Sequence, residues 1–218
     1  MHNMPNMYLS LQDEFGLELL RSTIITDTIN LSPAAKKATQ LDISILELIE
    51  KTLPNPQLLR EDVFSDIFKA KSDIKGFTVE QLLRKDLKIV PFSDKIQAAV
   101  PSTLLLAEEL CENSGELENL ETIFNDFCQR YKSQLLIIIG TNQVRRDILF
   151  YHPEGQSQIS KLINQITESL INYAEIDAKV DLEFKAPSSR CVLIKQGNIT
   201  YTRKKILPII LNASSMVE

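Results

Sequence analysis

One change of hydrophobic period limits what this chain can fold into. Up to about Asp86 its apolar residues recur at helical spacing; beyond it, short apolar runs of strand length alternate with helical stretches. The first helical stretch runs from Gln12 to about Asn30 and carries Phe15, Leu19, Ile24 and Ile25. Its β-branched run, Thr23 to Thr26, leaves the second half open between helix and strand. Thr39, with Asp42 three residues on, caps a second helix. That helix sets Ile43, Leu46 and Ile49 on one face and stops before Pro54. A third runs from about Gln57 to Lys71, with Val63, Ile67, Phe64 and Phe68 as core positions. Gly76 breaks the chain, and Thr78 with Gln81 forms a capping box for a short helix, Val79 to Arg84.

After Asp86, Lys88–Pro91 and Lys95–Val100 read as strands around the turn Ser93-Asp94. Helical sequence follows from Leu104 to Tyr131, interrupted near Ser114-Gly115. The unbroken Leu/Ile content of Leu135–Gly140 predicts a strand buried on both faces. Asp147–Tyr151 is its hairpin neighbour across a basic loop at Arg145-Arg146. Ile159–Tyr173 is an amphipathic helix. Val192–Lys195 and Asn198–Thr202 read as a hairpin around Gln196-Gly197, followed by a last helix with Ile206, Leu207, Ile210 and Leu211. The expected fold is α+β. A short helical N-terminal part, residues 1–73, leads into a mixed sheet packed with helices, residues 74–218. Strands near Ile89, Ile96, Ile137, Ile148, Leu193 and Ile199 share that sheet.

Charge is unevenly spread. The chain has 24 basic and 29 acidic residues, yet from Lys185 to Val217 there are six Lys or Arg and no acid: Lys185, Arg190, Lys195, Arg203, Lys204 and Lys205. Such a segment suits an anion, although a solvated surface cluster has the same look. The triplet Arg203-Lys204-Lys205 stands where a strand-like run gives way to a helical one, and a helix start offers free N–H groups to phosphate. Two histidines, His2 and His152, leave little for a zinc site or a His-based triad. Six glycines form no Gly-rich nucleotide loop. Three cysteines without metal-type spacing read as reduced thiols in a cytoplasmic protein. The N-terminus lacks the basic-then-apolar pattern of a secretory signal, and no apolar run is long enough for a bilayer, so no membrane is expected. An acidic chain with no Trp, and with Tyr201 as the one aromatic among its basic residues, points away from nucleic acid.

Four segments in order resemble a known family. They are Thr26-Asp27-Thr28-Ile29-Asn30-Leu31; Lys37 to Asp42; Ile74-Lys75-Gly76-Phe77-Thr78 through Arg84-Lys85-Asp86-Leu87-Lys88; and Gln196-Gly197-Asn198 through Arg203-Lys204-Lys205-Ile206-Leu207-Pro208. This order resembles the prune and exopolyphosphatase branch of the DHH phosphoesterase superfamily, which includes the family II inorganic pyrophosphatases. It extends from about Leu19 to Leu211. The resemblance implies a metal-dependent hydrolase of phosphoanhydrides, pyrophosphate or short polyphosphate, whose two domains close on the substrate. It implies that Asp27 is the last Asp ligand of a divalent metal set, typically Mn2+ or Mg2+. It further implies that Arg203 and Lys204 grip the substrate phosphates, with Lys88 a further phosphate-binding lysine. Arg would bind two oxygens as a fork, Lys as a point charge.

The sequence also departs from that family. The His- and Asp-rich motifs expected before Asp27 are absent, and His2 has no acidic neighbour in sequence. One carboxylate does not make a two-metal centre. The expectation is a fragment, splice product or short paralogue: a C-terminal substrate-binding domain behind a remnant of the metal-binding one, and no hydrolysis by this chain alone. The alternative is a non-catalytic phosphate-binding or protein-interaction module. Loss of the metal lobe would also expose an apolar face around Ile24, Ile25 and Ile29 to a protein partner or self-association.

Overall fold

The computed structural model describes residues 13–53, 58–93, 95–113, 117–142, 144–155 and 157–214. Expectations that rest on Gln12, His2, Pro54, Gln57, Asp94 and Ser114-Gly115 fall outside them. The chain forms two compact units, residues 1–74 and 75–218.

The N-terminal unit is helical. Helix α1 (Glu14–Asp27) starts at Asp13, whose carboxylate accepts the Phe15 N–H. Its β-branched half stays helical because Ile25 is buried in the unit's core, while Thr23 and Thr26 donate their hydroxyls back to the Leu19 and Ser22 carbonyls, at 2.8 and 2.7 Å. A 3-10 turn, Pro33–Ala35, precedes α2 (Gln40–Thr52), which starts on the expected capping box of Thr39 and Asp42. Helix α3 spans Arg60–Ser72. Leu17, Ile25, Leu46, Ile49, Leu53 and Val63 form the core, whereas Phe68, expected inside, is exposed. Glu50 binds two arginines here. Arg21, 2% exposed, donates Nε to Glu50 Oε1 at 3.0 Å, and Arg60 donates Nε at 2.9 Å to the same oxygen.

The C-terminal unit is built on a six-stranded mixed sheet of order β1-β2-β3-β4-β6-β5. Its strands are β1 (Leu87–Pro91), β2 (Gln97–Thr103), β3 (Leu135–Thr141), β4 (Arg146–Tyr151), β5 (Ala178–Val180) and β6 (Cys191–Gln196). Only the β2–β3 pair is parallel. Its crossover contains α5 (Ala107–Asn113) and α6 (Leu117–Arg130). Helix α4 (Val79–Lys85) precedes β1 on the expected Thr78–Gln81 capping box. Helices α7 (Ser157–Asn172) and α8 (Arg203–Ser214) complete the unit.

Helices cover both faces of the sheet, which is why β3 reads as an unbroken apolar run. Ala98, Val100, Ile137, Ile139, Ile148, Phe150 and Ile194 pack against α7 and α8. Their alternates, including Leu136, Ile138, Leu149 and Leu193, pack against α4, α5 and α6. The fold is α+β, as expected.

Two strands differ from expectation. Asn198–Thr202 is a turn, not a strand. The Asn198 side chain accepts from Thr200 N at 3.0 Å and Thr200 Oγ1 at 2.7 Å and donates to Glu175 O at 2.8 Å. An Asx-type turn of this kind takes the backbone out of the ladder. The partner of β6 on that side is instead the three-residue β5, too short to show a period. Its short length also limits the sheet's free edge. No helix among the described residues is long and apolar enough to cross a membrane.

Candidate functional site

The end of the sheet formed by the start of β1 and the ends of β2, β3 and β6 gathers most of the expected phosphate contacts. Helix α8 begins there, at Arg203. Its first turn is Arg203, Lys204 and Lys205, with no acid. Three cations at the positive end of a helix dipole are unfavourable unless an anion sits with them. Lys204 is exposed and Lys205 stands 5.0 Å above the centroid of the Tyr201 ring. The Tyr201 hydroxyl is hydrogen-bonded to Glu175.

Arg203 is held tightly, its side chain 12% exposed. Nη1 donates to Asp86 O at 2.7 Å and to Val100 O at 3.2 Å, and Nη2 donates to Asp86 Oδ1 at 2.7 Å. Three of five N–H groups are thereby used, which leaves Nε and one on Nη2 for a ligand. Arg203 also anchors the start of α8 to the β1–β2 pair.

Lys88 lies beside that anchor. It is directly opposite Val100 in the antiparallel β1–β2 ladder, so both side chains leave the same face. Val100 packs in the core that includes Ile206 and Ile210 of α8. The exposed Lys88 therefore shares the α8 face with Arg203 and Lys204.

The acid-free tail of the sequence is not acid-free in space. Arg190 pairs with Glu121, and Lys195 lies 2.6 Å from Asp181 and 3.4 Å from Glu108. Lys195 belongs to the opposite face, because its ladder partner Asp147 binds α5 there. Asp147 accepts the Ala107 and Glu108 N–H groups, at 2.7 and 3.0 Å. Burial pushes its carboxyl up to about 6, against the pull of those two N–H groups. Gly140 is required at this point, since a Cβ there would collide with Asp147 and the Ala107 amide.

Asp27 is the last residue of α1 and is exposed. Ile29, Asn30 and Leu31 follow it in the left-handed region, with φ of 54°, 51° and 56°. Each costs about 1–2 kcal/mol relative to the right-handed form, and a β-branched Ile is the least suited. Thr28 holds the turn: its hydroxyl donates to Ile24 O at 2.6 Å and accepts from Leu31 N at 3.1 Å. Strain of this kind gathers where a side chain must be presented. Among the described residues, however, no group of three or more His, Cys, Asp or Glu could hold a metal ion. The described residues by themselves do not fit a two-metal centre.

His152 is spoken for structurally, with Nε2 2.9 Å from Ser160 Oγ and Nδ1 2.8 Å from Pro153 O. Burial drives the Cys128 and Cys191 thiols up to about 12, so neither is poised as a nucleophile.

Comparison with known proteins gives a consistent result. The family model described as the DHHA2 domain matches residues 65–213. Exopolyphosphatase PRUNE1 of Rattus norvegicus is 29% identical over 205 residues, covering 90% of this chain and 42% of its own length. The Homo sapiens protein of the same name is 28% identical over 205 residues with the same coverage. The chain thus spans less than half the length of these relatives. The crystal structure of a Methanococcus jannaschii protein described as a family II inorganic pyrophosphatase superposes with a TM-score of 0.56 at 16% identity. It covers 93% of this chain and 56% of that one, a likeness of fold alone.

Proposed function

This chain belongs to the DHHA2-domain family, in its prune-like branch of the DHH superfamily, and from that membership we propose that it is the phosphate-binding portion of a phosphoanhydride hydrolase. Residues 74–218 are the substrate-binding domain and residues 1–73 a remnant of the metal-binding one. The ligand is inorganic pyrophosphate or a short polyphosphate. The observation that carries this reading is the first turn of α8, where Arg203, Lys204 and Lys205 crowd the positive end of a helix on the same sheet face as Lys88. A polyanion there relieves cation–cation and cation–dipole repulsion together. Lys204 and Lys88 supply mobile point charges. Arg203, fixed by Asp86 and Val100, offers its two remaining N–H groups in a set direction.

Binding and turnover separate in this chain. Its basic groups neutralise phosphoryl oxygens but generate no nucleophile, and binding without the part specific to the transition state gives little acceleration. Mn2+ or Mg2+ belongs to the complete family enzyme, with Asp27 as one ligand. Among the described residues no group of three or more potential ligands forms around it. That same observation favours the second reading, a non-catalytic phosphate-binding or protein-interaction module. The protein is cytoplasmic in either case.

Titration calorimetry of the purified chain with inorganic pyrophosphate tests the site. Lys204→Ala is the cleaner variant, because Arg203 also anchors α8. The expected outcome is binding that weakens about tenfold in Lys204→Ala, the effect of one well-aligned charge-assisted contact. Equal affinity in that variant overturns the site. Phosphate release from pyrophosphate or short polyphosphate with Mn2+ or Mg2+ is expected to stay at background. Robust release, abolished by Asp27→Ala, would show the chain to be an enzyme by itself.

A further inference from the structure

Asp86 puts a carboxylate against one of the cations of the phosphate site. It closes helix α4 as its C-cap, two residues before Lys88 of β1. Nothing local asks for an acid there. A helix presents the negative end of its dipole at that point, which suits Arg84 and Lys85 in the last turn and opposes an anionic cap. The side chain is 58% exposed, so no core packing depends on it. What it holds is Arg203, whose Nη2 donates to Asp86 Oδ1 at 2.7 Å.

That contact is not what fixes the guanidinium. Nη1 donates to two main-chain oxygens, Asp86 O at 2.7 Å and Val100 O at 3.2 Å. Asp86 O also accepts the Ser102 N–H of β2, at 3.0 Å. These bonds belong to the main chain and survive a change of the Asp86 side chain. Asp86 O and Oδ1 together fill the end-on edge of the guanidinium, between Nη1 and Nη2. The two N–H groups left, on Nε and Nη2, form its side-on edge, a complete fork for a phosphoryl group. A ligand on that edge shares Nη2 with the Asp86 carboxylate. Two acceptors on one planar –NH2, each roughly 2.8 Å away and about 120° apart, lie about 5 Å from one another. Unit charges at that distance oppose each other by about fourfold in an equilibrium constant even at the dielectric of water, before salt screens them. A multiply charged ligand feels that several times over. The exposed Asp86–Arg203 ion pair offsets little of it.

We propose that Asp86 is an autoinhibitory contact of this site, an internal competitor that neutralises Arg203 while the site is empty and opposes the anion that binds there. This rests on the phosphate-binding reading above and adds to it what limits the affinity. Lys88, Lys204 and the side-on edge of Arg203 draw the anion in, and the Asp86 carboxylate withholds part of that attraction. Its cost to the ligand is electrostatic, because the main-chain bonds to Nη1 keep Arg203 in place without it.

The test uses the full chain, with calorimetric titration of inorganic pyrophosphate in low and in raised sodium chloride. Asp86→Asn keeps an oxygen to accept from Nη2 and removes the charge. It is expected to bind pyrophosphate about tenfold more tightly than the parent in low salt, with the gain shrinking as salt is raised. Asp86→Ala is expected to gain in the same way and serves as the test if Asp86→Asn does not fold. Lys204→Ala is expected to weaken binding. If removing the carboxylate weakens binding, Asp86 positions Arg203 for the ligand and the proposal fails. If it leaves affinity unchanged, or gives a gain indifferent to salt, the proposal also fails, while a loss in Lys204→Ala keeps the phosphate site. If Lys204→Ala has no effect, the phosphate reading itself falls, and this inference with it.

Discussion

Lys132 occupies a position that favours glycine. Helix α6 ends in a Schellman arrangement: Ser133 N donates to Cys128 O at 2.8 Å and Lys132 N to Gln129 O at 3.1 Å. Lys132 is the left-handed residue of that motif, with φ of 51°, and its side chain is exposed. Lys132→Gly removes the Cβ penalty and loses no burial. It is expected to raise stability by about 1 kcal/mol, read as a higher denaturation midpoint at unchanged slope. A lower midpoint would show that the lysine stem contributes more than the backbone strain costs. The left-handed run at Ile29–Leu31 is a different case. Leu31 packs on the Ile25–Leu46–Val63 cluster, so relieving strain there would also empty part of a small core.

At the scale of elements, two carboxylates give the two units opposite responses to acid. Glu50 joins α2 to Arg21 of α1 and to Arg60 of α3, and the hydrogen bond from Arg60, then that from Arg21, holds its carboxyl below the usual range. A depressed folded pKa contributes stability that is present above the unfolded value, about 4.3, and is lost as pH falls through the folded one. Asp147, which ties β4 to α5, has its carboxyl raised by burial to about 6. Its contribution is fully present below about pH 3.9 and is lost as pH rises through 6. Urea unfolding at intervals from pH 3 to 7 is expected to show the variants diverging from the parent in opposite directions. The deficit of Glu50→Gln relative to the parent should grow from pH 3 upward. Asp147→Asn should do relatively better toward pH 7 than at pH 4. Parallel curves for either variant would show that its carboxyl titrates normally in the fold.

At the scale of the whole molecule, every proposed phosphate contact except the metal ligand lies in one unit. Lys88, Arg203 and Lys204 all belong to residues 75–218, which enclose two apolar cores of their own, one on each face of the sheet. That segment expressed alone is expected to fold and to bind pyrophosphate within about threefold of the full chain, with affinity falling as salt is raised. A folded segment without affinity would place part of the site in residues 1–74.

Much of the architecture was legible in order. Capping boxes at Thr39–Asp42 and Thr78–Gln81, the buried strand Leu135–Gly140 and the helix start at Arg203 depend on neighbours three or four residues away, so local pattern determines them. The switch to a mixed sheet after Asp86 was legible for the same reason. Asn198–Thr202 misled because a side chain, Asn198, redirected a backbone whose composition suits a strand. The charges lay beyond local reading altogether. Lys195 and Arg190 belong to an acid-free stretch, yet Asp181, Glu108 and Glu121 neutralise them, and Arg203 is bound to Asp86 over a separation of 117 residues. Arg145 and Arg146 look alike in sequence; strand parity sends one toward Glu108 and the other to the opposite face, where among the described residues it bonds the Ile199 carbonyl and no carboxylate. Local periodicity and capping chemistry determined which elements form. Which cations remain available for an anion was decided by tertiary packing, because an ion pair depends on distance through space and not along the chain.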